Sequence, residues 1–375
     1  MFGAKAIARI LAMLFSVAIA CLLGEAGLRL RGYSRSYVNP FSSFYESDPV
    51  LGLHGKPNFA GRIHKQDFDV WVAHDENGFR RQDNVRPVPA AAKNIYVLGD
   101  SFVWGWGVSQ GREFTDQMNL LMPGYRVHNF GLVATGTVQQ YVIFQRYVMP
   151  RMNRGDVVLL AFYVNDFADN VGRTMGGTLY AKVENGTIRT VPPDGTAVSG
   201  KLKNKLKDWS YLFNLVTYCA DRFGQSRAVA TPPDSDKPAS AGRASAAMSD
   251  DSPEVQVTKF YLAALKKACD DRQVALVVAY LPGTADLGEY DPRRIDIPCP
   301  EQIACRSAFF RCTAALKIET IDLLPYFLQA KKSGRCERVT FSHDPHWSET
   351  GHRLAAEVLS GWLVARADVH SSLLR

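Results

Sequence analysis

The chain has 375 residues, of which 46% are hydrophobic and 22% charged, the balance of a globular protein with one large domain and additions. That composition excludes a disordered or fibrous chain. The formal charge of +7 comes without a long basic run interleaved with aromatics, which points away from nucleic acid and toward an acidic partner or a membrane surface.

Residues 1–31 stand apart. Lys5 and Arg9 precede an uncharged apolar run from Ile10 to Leu23, the arrangement of an export signal or signal-anchor. Ala18-Ile19-Ala20 offers a small-residue cleavage site, but the apolar pattern continues through Ala26, Leu28 and Leu30. The segment therefore reads as an uncleaved anchor. A removed signal peptide and a buried amino-terminal helix are the alternatives, since the run is short against the roughly 20 residues of a span. Arg29, Arg31 and Arg35 offset Lys5 and Arg9 and leave orientation open.

Residues 32–92 lack strong periodicity and read as a lead-in packed on the domain. Within them Asn77-Gly78-Phe79-Arg80 is a turn with an aromatic behind it, and Pro87 and Pro89 mark the approach to the first strand. From 93 to 375 the pattern alternates. Ile95-Tyr96-Val97-Leu98 is a buried strand that ends at Gly99, where Asp100 and Ser101 are both favoured helix caps. A helix over 113–121, a strand over 125–130 ending at Gly131, a helix over 137–149 and a fully apolar strand over 156–164 ending at Asn165-Asp166 follow. This is the alternation of a doubly wound α/β/α sandwich with a mostly parallel sheet.

An insertion at about 169–253 interrupts it. Tyr180 to Val191 reads as a hairpin around Asn185-Gly186, and 224–253, rich in Ala, Ser, Pro and Asp, as a disordered loop. The core then resumes with a helix over 254–272, strands over 274–281 and 318–323, and a closing helix over 349–365. Six cysteines follow Cys21, four of them between Cys299 and Cys336. The lack of Cys-x-x-Cys or His-x-x-x-His spacing favours disulfides or buried thiols over zinc, and at least one disulfide among Cys299, Cys305, Cys312 and Cys336 is expected in an oxidising compartment.

The carboxyl ends of parallel strands share one rim, so Gly99-Asp100-Ser101, Asn129-Phe130-Gly131 and Asn165-Asp166 can converge although distant in sequence. Asp344-Pro345-His346, just before the last helix, can join them. Such a set suits acyl transfer: Ser101 as nucleophile, His346 as base, a carboxylate to orient the imidazole, and the Ser101 N–H, Gly131 N–H and Asn165 amide as oxyanion donors. Gly105, Gly107 and Gly111 miss the dinucleotide spacing. Trp104 and Trp106 are either crevice lining or core.

These blocks resemble the SGNH (GDSL-like) hydrolase family, which carries Ser, Gly, Asn and His in this order. The resemblance implies Ser101, Asp344 and His346 as a triad with Gly131 and Asn165 as oxyanion donors, and neither cofactor nor metal. The anchor and the Asn77-Gly78-Phe79-Arg80 lead-in are similar to membrane-tethered bacterial members. The usual Asp-x-x-His spacing is shortened here by one residue. Pro345 favours an extended Asp344, and alternate side chains of an extended segment point the same way, so the pair can still cooperate. The expected activity is a serine esterase or O-acyltransferase on an acylated substrate of the glycan class outside the cytoplasm, tethered to the membrane. A metal-dependent phosphoesterase and a non-catalytic scaffold of surface-polysaccharide assembly are the competing readings.

Overall fold

A computed structural model describes residues 4–31, 44–89, 92–174, 176–197, 206, 209–217, 219, 248–291 and 299–373. The chain opens with helix α1 (Ala4–Leu30). At 27 residues it is about 40 Å long, more than the roughly 30 Å of a bilayer's hydrocarbon core. Over Ala8–Leu30 its mean hydropathy is 2.1, and no part of that stretch is buried. By length and composition it can cross a membrane, and it outruns the 10–23 segment read from the sequence because Ala26, Leu28 and Leu30 extend the apolar helix.

The lead-in is more structured than its weak periodicity suggested. It pairs β1 (Tyr45–Glu46) with β2 (His54–Gly55) and β3 (Ala60–His64) with β4 (Asp69–Ala73), both antiparallel. Phe44, Tyr45, Leu53, Ile63 and Phe79 are buried in the same apolar cluster as the main sheet. The lead-in is thus packed into the core.

Five strands build the main sheet: β5 (Lys93–Gly99), β6 (Tyr125–Gly131), β7 (Val157–Phe162), then, beyond the antiparallel hairpin β8 (Tyr180–Glu184) and β9 (Thr187–Val191), β10 (Ala275–Tyr280) and β11 (Glu319–Asp322). All five are parallel, in the order β11-β10-β7-β5-β6. Ile95, Val97 and Leu98 on β5 and Val158, Leu159 and Leu160 on β7 are fully buried, as strands covered on both faces must be. The expected α/β/α sandwich is present.

Among the described residues the helices around the sheet include α2 (Ser101–Trp104), α3 (Phe114–Leu121), α4 (Thr137–Ile143) with a π-helical turn at Phe144–Val148, α5 (Asp166–Asn170), α6 (Pro253–Asp270), α7 (Cys299–Ala315), α8 (Leu324–Lys332) and α9 (Glu349–Leu373). From β5 the chain moves outward to β6, then back across β5 to β7. Right-handed crossovers in opposite directions put their helices on opposite faces. Accordingly α3 packs with α9, while α4, α5 and α7 pack with α6. The reversal makes the gap between β5 and β7 the topological switch point, where open α/β sheets bind ligands.

In the insertion the β8–β9 turn has Asn185 and Gly186 at φ of 50° and 73°, the left-handed pair of a type I′ turn. The 224–253 segment expected to be disordered lies mostly outside the described residues, and only 248–253 of it are described. The disulfide expectation is not met. Cys305, Cys312 and Cys336 are free thiols, so none of these three is in a disulfide. Cys305 and Cys312 are buried within the core on α7, and the Cys305 thiol donates to Met248 Sδ at 3.2 Å. Burial pushes the Cys305 thiol up to about 12 and Cys312 up to about 11. They act as small apolar residues.

Candidate active site

The serine turn is built by close packing. A Cβ on Gly99 would lie 2.4 Å from Val103 Cγ2 and 2.9 Å from the Ala161 carbonyl oxygen, so only glycine lets β5 turn into α2 beside β7. Asp100 caps that helix, accepting the Phe102 N–H at 2.9 Å. Ser101 therefore stands at the end of β5, at the first position of a helix and beside the switch point.

His346 arrives from the 341–347 loop. The loop is closed by the Phe341 N–H donating to the His346 carbonyl at 3.0 Å. Its base is held by the buried Glu289, which accepts from Val339 N–H (3.0 Å), Thr340 N–H (2.9 Å), Thr340 Oγ1 (2.7 Å) and Lys331 Nζ (2.6 Å). Burial alone would raise the Glu289 pKa; the Lys331 and Thr340 bonds outweigh it and lower it. The imidazole lies between two rings, 5.0 Å from Phe102 and 5.8 Å from Trp106.

Asp344 Oδ1 accepts the His346 backbone N–H at 3.1 Å and Nδ1–H at 2.5 Å. The two-residue spacing works because Asp344 folds back onto its own loop. With Nδ1 so engaged, Nε2 carries the lone pair, and the Ser101 hydroxyl donates to it at 2.8 Å. Burial would raise the Asp344 pKa, but the charge and hydrogen bonds of His346, with Lys65 beyond, hold it well below the usual carboxylate range. Side-chain exposure of 21% for His346 and 11% for Asp344 leaves the pair reachable from solvent.

Asn165 sits at the end of β7 as the residue before α5. Its Oδ1 is buried without a partner. Its amide helps to lower the pKa of Asp100, which burial nonetheless pushes up to about 6. Gly131 differs from expectation. Its N–H donates to Asn129 Oδ1 at 2.8 Å, so this donor is already engaged. Asn129 in turn donates to the Val103 carbonyl (2.8 Å) and Thr115 Oγ1 (2.9 Å), tying β6 to the serine helix. A Cβ on Gly131 would fall 2.4 Å from the Trp104 nitrogen, so the glycine is needed for that approach. Ser101 and His346 are thus in contact, Asn165 is bonded to the neighbouring Asp100, and Gly131 lies against the serine helix.

No protein-family model and no curated protein matches the chain. Solved structures do. A member of the lipolytic G-D-S-L family from Veillonella parvula DSM 2008 is 11% identical, over 71% of this chain and 95% of its own, with a TM-score of 0.39. An acetyl xylan esterase is 11% identical, over 72% and 98%, with a TM-score of 0.40. A lipase/acylhydrolase from Enterococcus faecalis is 12% identical, over 73% and 96%, with a TM-score of 0.37.

The aromatic and histidine side chains around the site have defined places. Trp104 and Trp106 are buried; Trp104 packs in the core, while Trp106 lies beside the His346 imidazole. His343 is an exposed loop residue bonded to Asp67 at 2.8 Å and Gln66 at 2.9 Å. His352 is buried, accepts the Phe114 N–H at 3.2 Å, and is pushed down to about 3 by burial with help from Arg80 and His346. Among the described residues no three His, Cys, Asp or Glu gather to hold a metal ion.

Beneath the rim, Asp169 is buried with Oδ2 unpartnered. Burial, then the charge of Asp100, pushes it up to about 8. An acid raised in the fold keeps a proton that the unfolded chain releases near pH 4, so its contribution to stability falls as pH rises through 4 to 8. Asp169→Asn, which fixes the neutral form, is expected to raise the melting temperature by about 2–6 °C at pH 8 and by much less at pH 5. Thermal melts at the two pH values check it.

Proposed function

We propose that the chain is a serine ester hydrolase or O-acyltransferase of the SGNH type. The supporting observation is the unbroken hydrogen-bond chain from Ser101 through His346 to Asp344. Ser101 Oγ attacks the acyl carbonyl as His346 Nε2 takes its proton; Asp344 holds the tautomer and stabilises the imidazolium. The oxyanion is met by the Ser101 N–H at the head of α2 and by the Asn165 amide, with the Gly131 N–H able to join as a bifurcated donor. His346 then protonates the leaving alcohol. Water or a sugar hydroxyl, deprotonated by the same imidazole, releases the acyl group from Ser101.

Helix α1 is proposed as the tether, with residues 32–375 facing away from the cytoplasm and an acylated glycan as substrate. This part of the reading rests on the apolar length of α1 and on the resemblance to membrane-tethered members. The test is turnover of a p-nitrophenyl acetate probe, with and without a free oligosaccharide, in the presence of a chelator. Ester turnover that survives chelation is expected, and mass spectrometry of the sugar then reads hydrolysis against transfer. Phosphodiester turnover lost on chelation would move the assignment to the metal-dependent class.

Asn165→Ala is expected to lower kcat by about 10²–10³-fold with KM little changed, as for one oxyanion donor. Steady-state kinetics on the same probe check it.

A further inference from the structure

The lead-in brings a cation to the triad carboxylate. Lys65 follows β3, and its N–H donates to the Phe68 carbonyl at 2.8 Å, which closes the β3–β4 turn. That turn is clamped onto the loop that carries His346. Asp67 accepts the His343 N–H at 2.6 Å and pairs with its Nδ1, while Phe68 packs 5.0 Å from Phe341 and 6.5 Å from Trp106.

From this base Lys65 Nζ crosses the Trp106 ring at 4.7 Å and reaches Asp344 Oδ2 at 3.3 Å. Oδ2 also accepts Trp106 Nε1–H at 3.1 Å. The two oxygens thus have separate tasks: Oδ1 faces His346, and Oδ2 is pinned by a lysine and a tryptophan. A lone exposed ion pair contributes little stability, and Lys65 is 40% exposed while Asp344 is 11% exposed. The chief consequence is the charge placed beside the triad.

We propose that Lys65 is a positioning residue of the triad: it fixes Asp344 through Oδ2, and its charge sets the acid side of the pH range in which the site works. This rests on the serine-hydrolase reading. Among the described residues, the charged and titratable groups around the Asp344–His346 pair are Lys65 from the hairpin, Asp100 from the serine turn, His352 from α9, and the Asp67–His343 pair at the loop's rim. Lys65 is the cation that touches Asp344. Proton uptake by the imidazole creates a second positive charge nearby, which Lys65 opposes. Removing Lys65 eases that uptake and moves the acid limb to higher pH.

The test measures the rate at which a fluorophosphonate labels wild type, Lys65→Met and Lys65→Arg across pH 4–9. The acid-limb midpoint is expected to rise by about 0.5–1 pH unit in Lys65→Met, as for one unit charge a few ångströms away in a partly solvated site. Lys65→Arg should stay with wild type. An unmoved midpoint in Lys65→Met, or the same shift in Lys65→Arg, would overturn the proposal. NMR titration of the His346 imidazole in the three resting proteins is the second arm and needs no turnover. Were wild type not labelled at all, the serine reading would fall. The imidazole titration would still decide on Lys65, supporting its charge effect if the midpoint rises in Lys65→Met and refuting it if not.

Discussion

Ser101→Ala is expected to lower kcat for a short-chain acyl ester by about 10⁴-fold or more while leaving the melting temperature close to that of wild type. The nucleophile and base act as a unit, so removing either costs nearly as much as removing both. His346→Ala should therefore be almost as damaging, and the double variant scarcely worse than either single one. The fold should survive because Ser101 is only partly buried at the first position of α2, and its Oγ has His346 as its partner. Asp344→Asn should fall between wild type and His346→Ala. The amide keeps the bond geometry around Oδ1 while losing the charge that stabilises the imidazolium. Steady-state kinetics and thermal melts on the four variants check the series.

The largest effect on stability is expected at Arg80, behind the serine turn. Arg80 is buried; its guanidinium donates to the Gly105 carbonyl at 3.3 Å and to the Val108 carbonyl at 2.9 Å. It lies 5.1 Å from the Trp104 ring centroid and 3.6 Å from Glu113 Oε1. Both side chains of this ion pair are fully buried. Burial pushes Glu113 up to about 7 even with Arg80 beside it. Removing one partner of such a pair costs about 3–5 kcal/mol, because the other charge is left in the interior uncompensated. Arg80→Ala should therefore lower the melting temperature by about 5–8 °C. It should also cut activity, since the freed carbonyls belong to the turn behind Ser101. Adding Glu113→Gln should recover part of the loss, which a double-mutant cycle measures.

Strands β5, β7 and β10 were legible because each carries an apolar run, and β5 and β7 end at glycine or a polar pair; β6 and β11, with polar residues among the apolar ones, were weaker signals. The Asn185-Gly186 turn was legible for a similar reason: type I′ geometry needs those residues. The lead-in was not. Its strands are short, and β3 reads Ala-Gly-Arg-Ile-His, with one fully buried side chain, so alternation had little to work on. The same gap hid Lys65, whose importance comes from a turn that places it against a carboxylate 279 positions away. Glu289 carries no local signal; its role exists only once 339–340 are folded onto it. Among the candidate residues, Ser101, His346 and Asp344 are joined by hydrogen bonds, and Asn165 precedes α5. The Gly131 N–H could not be assigned from sequence, because the side chain that takes it, Asn129, belongs to the same strand end and could equally have faced outward. The cysteines misled through their even number and close grouping, when α7 simply spaces Cys305 and Cys312 for burial.

The central claim is that Ser101 is a nucleophile activated by His346. Its most direct test is intact-protein and peptide mass spectrometry after reaction with a fluorophosphonate. A single adduct on the peptide that contains Ser101 is expected, absent in Ser101→Ala and formed far more slowly in His346→Ala. Modification of another residue, or full ester turnover by Ser101→Ala, would contradict the account.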